Sequence, residues 1–327
     1  MMKLDSGRRS AVYTSVGTML VLTALSFLEY RVLYLIHWHY LFQNAEATIT
    51  PLTGHPWWRA WQNRLLAAFV MNGIQKNMVE AYKTYTLVFC LAANVTTFFL
   101  YSKRGAGKAL LYVALSVLAF LLLQDEYWLY GWDLPEAIIF TALVIGIDRN
   151  RGIAFFTALF AVAFLNRESS LFILAWVFFN AISKKNYRIA LYSVALFATG
   201  IAGICLLREH LFIASYQQYV GNDPAHLTFG NHFWYRENVI NFFHTWPPWK
   251  PSIDLIPAMM VFAVGYFVWR WTSLNRSEKD IVLVCCLMVA SIFCFTVIHE
   301  TRVWLMLIPF LLYLFEEMSE SRRLLNR

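Results

Sequence analysis

Charge is what this sequence has least of. Only 14% of its 327 residues are Asp, Glu, Lys or Arg, against about a quarter in a soluble globular chain. The shortage is uneven, because the charges cluster between long apolar runs. A Walker phosphate loop and a Rossmann glycine fingerprint are both missing. No cytoplasmic segment is large enough for a nucleotide-sugar domain, which argues against nucleotide-dependent transfer. Internal repeats and low-complexity tracts are absent, as are the short alternating strands a membrane barrel needs. The five cysteines (Cys90, Cys205, Cys285, Cys286 and Cys294) all lie in apolar runs. With no metal-ligand spacing and no partner in an outer loop, they read as packing residues.

What is present is apolar: 59% of the chain is hydrophobic and 17% aromatic. Apolar runs fall near 11–28, 79–101, 109–124, 134–147, 153–165, 170–182, 188–207, 253–271, 281–298 and 302–316. Most approach the roughly 20 residues that cross ~30 Å of hydrocarbon as a helix. The first, starting at Ala11, is too long for a signal-peptide core and reads as a retained span. The expected fold is all-α, a polytopic transmembrane helical bundle of about ten spans. It forms a single transmembrane domain over residues 1–327.

Basic residues orient the bundle. Seventeen of the 27 Lys and Arg fall in short segments that face one side if the N-terminus is inside. Among them are Lys103, Arg104 and Lys108; Lys184, Lys185 and Arg188; and Arg322, Arg323 and Arg327. That asymmetry is the positive-inside signature, and it places both termini in the cytoplasm. It also explains the net charge of +7 without nucleic acid. Residues 153–182 decide the parity. A single span would put Lys184, Lys185 and the basic C-terminus outside, so a hairpin of two short helices is expected, with Arg167 and Glu168 at its tip. Arms of 13 residues reach only about 20 Å, which leaves that tip below the outer surface.

Two outer loops are long. Residues 29–78 are rich in aromatics (Trp38, Tyr40, Trp57, Trp58, Trp61), and their amphipathic 57–75 stretch suggests interfacial helices. Residues 208–252 carry Trp234, Tyr235, Trp246, Pro247, Pro248 and Trp249, and read as a folded cap.

With this topology many ionisable residues reach one level near the outer face, where charges are expensive and usually paired. Asn166-Arg167-Glu168 occupies the hairpin tip; an Arg there suits a lipid phosphate, and a structural Arg–Glu pair is the alternative. His299-Glu300-Thr301-Arg302 joins the last two runs. His299 and Arg302, three apart, can share a helix face, or the segment caps helices and Arg302 snorkels. It lacks the second His of a zinc signature. Asp125, Glu126, Asp133 and Glu136 form an acidic loop. Asp133 before Pro135 is good helix-start chemistry, but four acids together also suit a general base or a divalent cation. Glu29 lies where the first run ends and Glu46 follows in the first loop, each readable also as a solvated interfacial acid; Arg64 opens an apolar stretch and can simply snorkel. The histidines of the outer loops show no consistent metal spacing.

Two stretches carry a resemblance. His55-Pro56-Trp57-Trp58 leading to Arg64-Leu65-Leu66, and Ala163-Phe164-Leu165-Asn166-Arg167-Glu168-Ser169, are similar to segments of the GT-C glycosyltransferases and related bacterial polyprenyl-phosphate-sugar-dependent membrane proteins. Asp133-Leu134-Pro135 also has a counterpart there. The topology resembles that family over most of the chain, the motifs over about twenty residues. Two features depart from it: the acid just after the first span must be Glu29 or Glu46, and the proline after the Arg64 motif is missing.

The resemblance implies an inverting glycosyltransferase of the bacterial inner membrane. Its donor would be a sugar on a polyprenyl phosphate, its acceptor a glycan or lipid-linked saccharide. Glu46 or Glu29 would serve as base, with Asp133 a further acidic candidate. Arg64, Arg167 and Arg302 would hold the phosphate, with Glu168, His299 and Glu300 beside them. No nucleotide is needed, and a divalent metal is left open. A flippase of the same lipid-linked saccharide, an outer-leaflet polysaccharide polymerase and a non-enzymatic membrane subunit are the competing readings. A flippase requires polar groups along a path through the membrane as well as at one level.

Overall fold

The computed structural model describes residues 6–53, 64–74, 77–124, 129–210, 235–244, 255–295 and 301–325. Among these residues there is no strand. The helices are α1 (Ser6–His37), α2 (Leu41–Thr53), α3 (Leu65–Ile74), α4 (Met78–Tyr101), α5 (Ala106–Leu122), α6 (Asp133–Asp148) and α7 (Ile153–Phe164). They continue as α8 (Leu171–Ser183), α9 (Tyr187–His210), α10 (Tyr235–His244), α11 (Leu255–Trp269), α12 (Arg276–Phe295) and α13 (Ile308–Leu325). Single 3₁₀ turns join several of them, and a longer 3₁₀ segment, Thr301–Leu307, leads into α13.

Among the described residues, three helical segments are long and apolar enough to cross a membrane: Val16–Leu52, Met78–Arg104 and Tyr187–Leu207. Shorter apolar helices pack with them. Large apolar side chains such as Met19, Leu111, Leu191 and Trp269 are exposed, a surface that suits lipid better than water.

The first apolar run differs from its expectation. It fades at Glu29, but the helix runs on to His37 and, after one 3₁₀ turn, α2 carries the chain to Thr53. Glu29 therefore lies within α1 and not at the start of an outer loop. The cause is a partner far away in sequence: the Asn94 side chain on α4 donates to the Glu29 carboxyl at 2.8 Å. Hydropathy falls at an acid; helix geometry does not when that acid is hydrogen-bonded. Residues 29–78 are consequently helical over most of their described length. Of the amphipathic 57–75 stretch, α3 is the described part. Most of 208–252 lies outside the described residues.

The hairpin is present. α7 and α8 are separate helices broken at Leu165–Ser170, and they lie side by side, with Phe156 against Trp176 at 4.6 Å between ring centroids. With 12 and 13 residues, each arm reaches about 18–20 Å.

The core fills the space among α4, α6, α8, α11, α12 and α13. Phe140, Phe267, Trp304 and Phe310 are among its fully buried side chains. Charged groups gather at both ends of this core. At one end Lys103 bridges Asp148 at 3.0 Å. There Arg104 and Lys108 also pair with Glu316, Glu317 and Glu320 of α13. At the other end stand Asp133, Glu136, Arg167 and Arg302. α6 runs from Asp133 to Asp148, so its 16 residues set the two charged layers roughly 24 Å apart.

Candidate functional site

The short loop before α6 is the floor of the site, and its backbone is pinned at each residue. Tyr82 donates its hydroxyl to the Leu129 carbonyl. The Tyr130 amide donates to Asp133 Oδ2 at 3.0 Å. Gly131 donates its amide to Thr48 Oγ1 at 3.1 Å and accepts from the Tyr85 hydroxyl at 2.6 Å. The Trp132 carbonyl accepts from Asn166 Nδ2 at 3.0 Å. Four elements thus fix four consecutive residues. Gly131 is required by space: a Cβ there would lie 2.3 Å from Thr48 Cγ2 and 2.9 Å from Ala67 Cβ.

The hairpin tip docks on this loop. The Leu66 amide donates to the Leu165 carbonyl at 2.8 Å, bringing the start of α3 against the tip. Arg64 then faces Glu168 at 3.4 Å and lies over the Trp132 ring at 4.6 Å. Arg167 Nη1 donates to Glu136 Oε2 at 2.8 Å. On the far side, Thr301 donates to the Leu123 carbonyl at 2.7 Å, which sets Arg302 over the Tyr130 ring at 4.0 Å. Tyr130 and Trp132 stack at 4.5 Å. Arg64, Trp132, Tyr130 and Arg302 therefore form one stack with a guanidinium at each end.

Three arginines face three carboxylates. Asp133, completely buried, takes its positive surroundings from Arg302 first and Arg167 second. Its Oδ2 accepts from the Tyr130 amide of the preceding loop, and no amide of α6 donates to it. The Glu136 side chain is 2% exposed, Arg167 14%, Arg64 9% and Glu168 30%. Glu168 is thus the carboxylate of this group that a ligand reaches most easily. Its ion pair with Arg64 is also the longer of the two measured.

The expected site residues divide accordingly. Asp133, Arg64, Arg167, Glu168 and Arg302 come together. Arg64 and Arg302 are buried under aromatic rings, which corrects the snorkelling alternative for both. Glu29 is elsewhere, inside α1 against α4. Glu46 is half-buried on α2 and bonds to none of the described residues of the cluster. His299 and Glu300, like Asp125 and Glu126, lie outside the described residues. Missed from sequence were the role of Glu136 as partner of Arg167, and the aromatic pair Tyr130 and Trp132. Their signal was present, as aromatics and an acid flanking the Asp133-Leu134-Pro135 helix start. Among the described residues no group of three His, Cys, Asp or Glu is placed to hold a metal ion.

No protein-family model, curated protein or solved structure matches the chain.

Proposed function

We propose that the chain is a membrane glycosyltransferase that moves a sugar from a polyprenyl-phosphate donor to an acceptor hydroxyl at the extracytoplasmic face. The membrane is the bacterial inner membrane, crossed about ten times with both termini cytoplasmic. The observation that carries this reading is the gathering of Arg64, Arg167 and Arg302 with Asp133, Glu136 and Glu168 from four separate parts of the chain.

A neutral cluster must open to admit a phosphate. Buried Asp133 and Glu136 stay with Arg302 and Arg167, because an uncompensated charge at that depth is costly. The donor phosphate instead takes Arg64 from Glu168, the longer and more exposed of the two ion pairs. Glu168, so released, accepts the proton of the acceptor hydroxyl. The acceptor oxygen bonds the anomeric carbon as the bond from that carbon to the phosphate oxygen breaks. The electron pair leaves with polyprenyl phosphate, held by Arg64 and Arg167, and the anomeric centre inverts. Glu168 replaces Glu46 and Glu29 as the favoured base because it lies beside the arginines.

The test is transfer of radiolabelled sugar from a polyprenyl-phosphate donor by purified protein in lipid, wild type beside Arg167→Ala. Transfer that disappears with the arginine supports the reading, and full transfer by the variant rejects it. A second reading, a flippase for the same lipid, is favoured by the polar group of Glu29, Asn94, Thr97 and Thr141 below the charged layer. Labelled lipid crossing the bilayer without transfer would select it.

A further inference from the structure

Glu29 has company of a different kind from the charged layer. Its side chain is 2% exposed. Asn94 Nδ2 reaches Glu29 Oε2 at 2.8 Å and Ser26 Oγ at 3.0 Å. A cavity about large enough for one water molecule adjoins the acid, lined also by Thr97, Ser116, Thr141, Leu134 and Ile308. Leu134 follows Asp133, and Ile308 follows the 3₁₀ segment that carries Arg302. The lining therefore reaches from Glu29 to the residue next to Asp133.

Among the described residues no cation faces this carboxyl across the cavity. The titratable group acting on it from α4 is the Cys90 thiol. α5 presents Ser116, Val117 and Phe120; α6 presents Leu134, Ala137 and Thr141; α13 presents Ile308 and Pro309. None of these ionises. On α1 the neighbouring Arg31 is exposed and lies over Tyr34 at 5.6 Å. A carboxylate buried without a countercharge neutralises instead of remaining ionised. Ionisable groups retained inside a membrane mark sites of function.

We propose that Glu29 is a proton-binding site inside the lipid-spanning layer, which exchanges its proton toward the outer charged layer through the adjoining cavity. The ligand is a proton and not a metal cation, because Asn94 turns an N–H donor toward the acid where a hard cation requires converging oxygens. The proposal does not depend on the transferase reading, since a buried acid of this kind serves a flippase equally.

Infrared difference spectra of the full chain in lipid, wild type against Glu29→Gln, test the protonation state. The carbonyl stretch of a protonated carboxylic acid is expected in the wild type at neutral pH and absent from the variant; no such band overturns the proposal. A lipid-soluble carbodiimide adds to a protonated carboxyl, and mass spectrometry locates the adduct. Labelling at Glu29 is expected, slowing about tenfold per pH unit once the acid titrates. An infrared band without labelling overturns the exchange route. Protection by sodium ions at constant pH assigns the site to a cation and overturns the proton assignment. Glu29→Gln, which keeps the shape of the neutral acid, is expected to melt at the wild-type temperature; a large fall in melting temperature counts against a neutral Glu29.

Discussion

The two charged layers are built differently. On the side of Asp148, Arg104 and Lys108 meet Glu316, Glu317 and Glu320, three acids on a single regular helix. Tyr112 adds a hydrogen bond to Glu316. The positions 316 and 320 are one turn apart, so the helix itself aligns its acids with α5. On the side of Asp133, each arginine comes from a break in regular structure: the residue before α3, the hairpin tip and the 3₁₀ segment before α13. Irregular backbone at membrane depth persists only where protein or trapped water surrounds it. Here the pinned 129–132 loop and the Tyr130–Trp132 stack surround it. The first layer is a clamp between two helices, whereas the second holds charges in an arrangement that packing alone does not require.

The comparison breaks most visibly at Arg167. Arg167→Ala leaves Glu136 buried and unpaired, which costs about 3–5 kcal/mol. Lost transfer is expected to come with a lower melting temperature in detergent, and Arg167→Lys should restore part of the stability. Glu168→Gln should cut transfer by about 10²–10⁴-fold, the usual share of a general base. Its melting temperature should hold, because the Gln side-chain oxygen still accepts from Arg64, which also rests on the Trp132 ring. Gly131→Ala inserts a methyl group where Thr48 and Ala67 already stand. Overpacking of that kind costs about 1–3 kcal/mol, and thermal melting together with transfer should both fall. The smallest effect belongs to the helical clamp. Lys108→Ala should lower stability by about 1 kcal/mol or less, since Arg104 still pairs with Glu316, and transfer per folded molecule should be unchanged.

How much of this was legible in the sequence varies with distance along the chain. The short hairpin, the helix start at Asp133 and the arginines at the ends of apolar runs were readable, because a charge beside lipid demands a partner. The partners themselves were not. Arg64 and Glu168 are 104 residues apart and Arg167 and Glu136 are 31 apart, and no local pattern links them. Glu29 shows the reverse failure. Its charge ended the apolar run and suggested a loop, whereas Asn94, itself buried in another helix, lets the acid remain inside one.

The claim that separates the two layers is that an acid reacts in one and only braces the other. Radiolabelled transfer from the polyprenyl-phosphate donor by Glu168→Gln, set beside Glu316→Gln and normalised to folded protein, tests it directly. The account expects Glu168→Gln to lose transfer while melting like the wild type, and Glu316→Gln to lose stability while each folded molecule transfers at the wild-type rate. Full transfer by Glu168→Gln would contradict it.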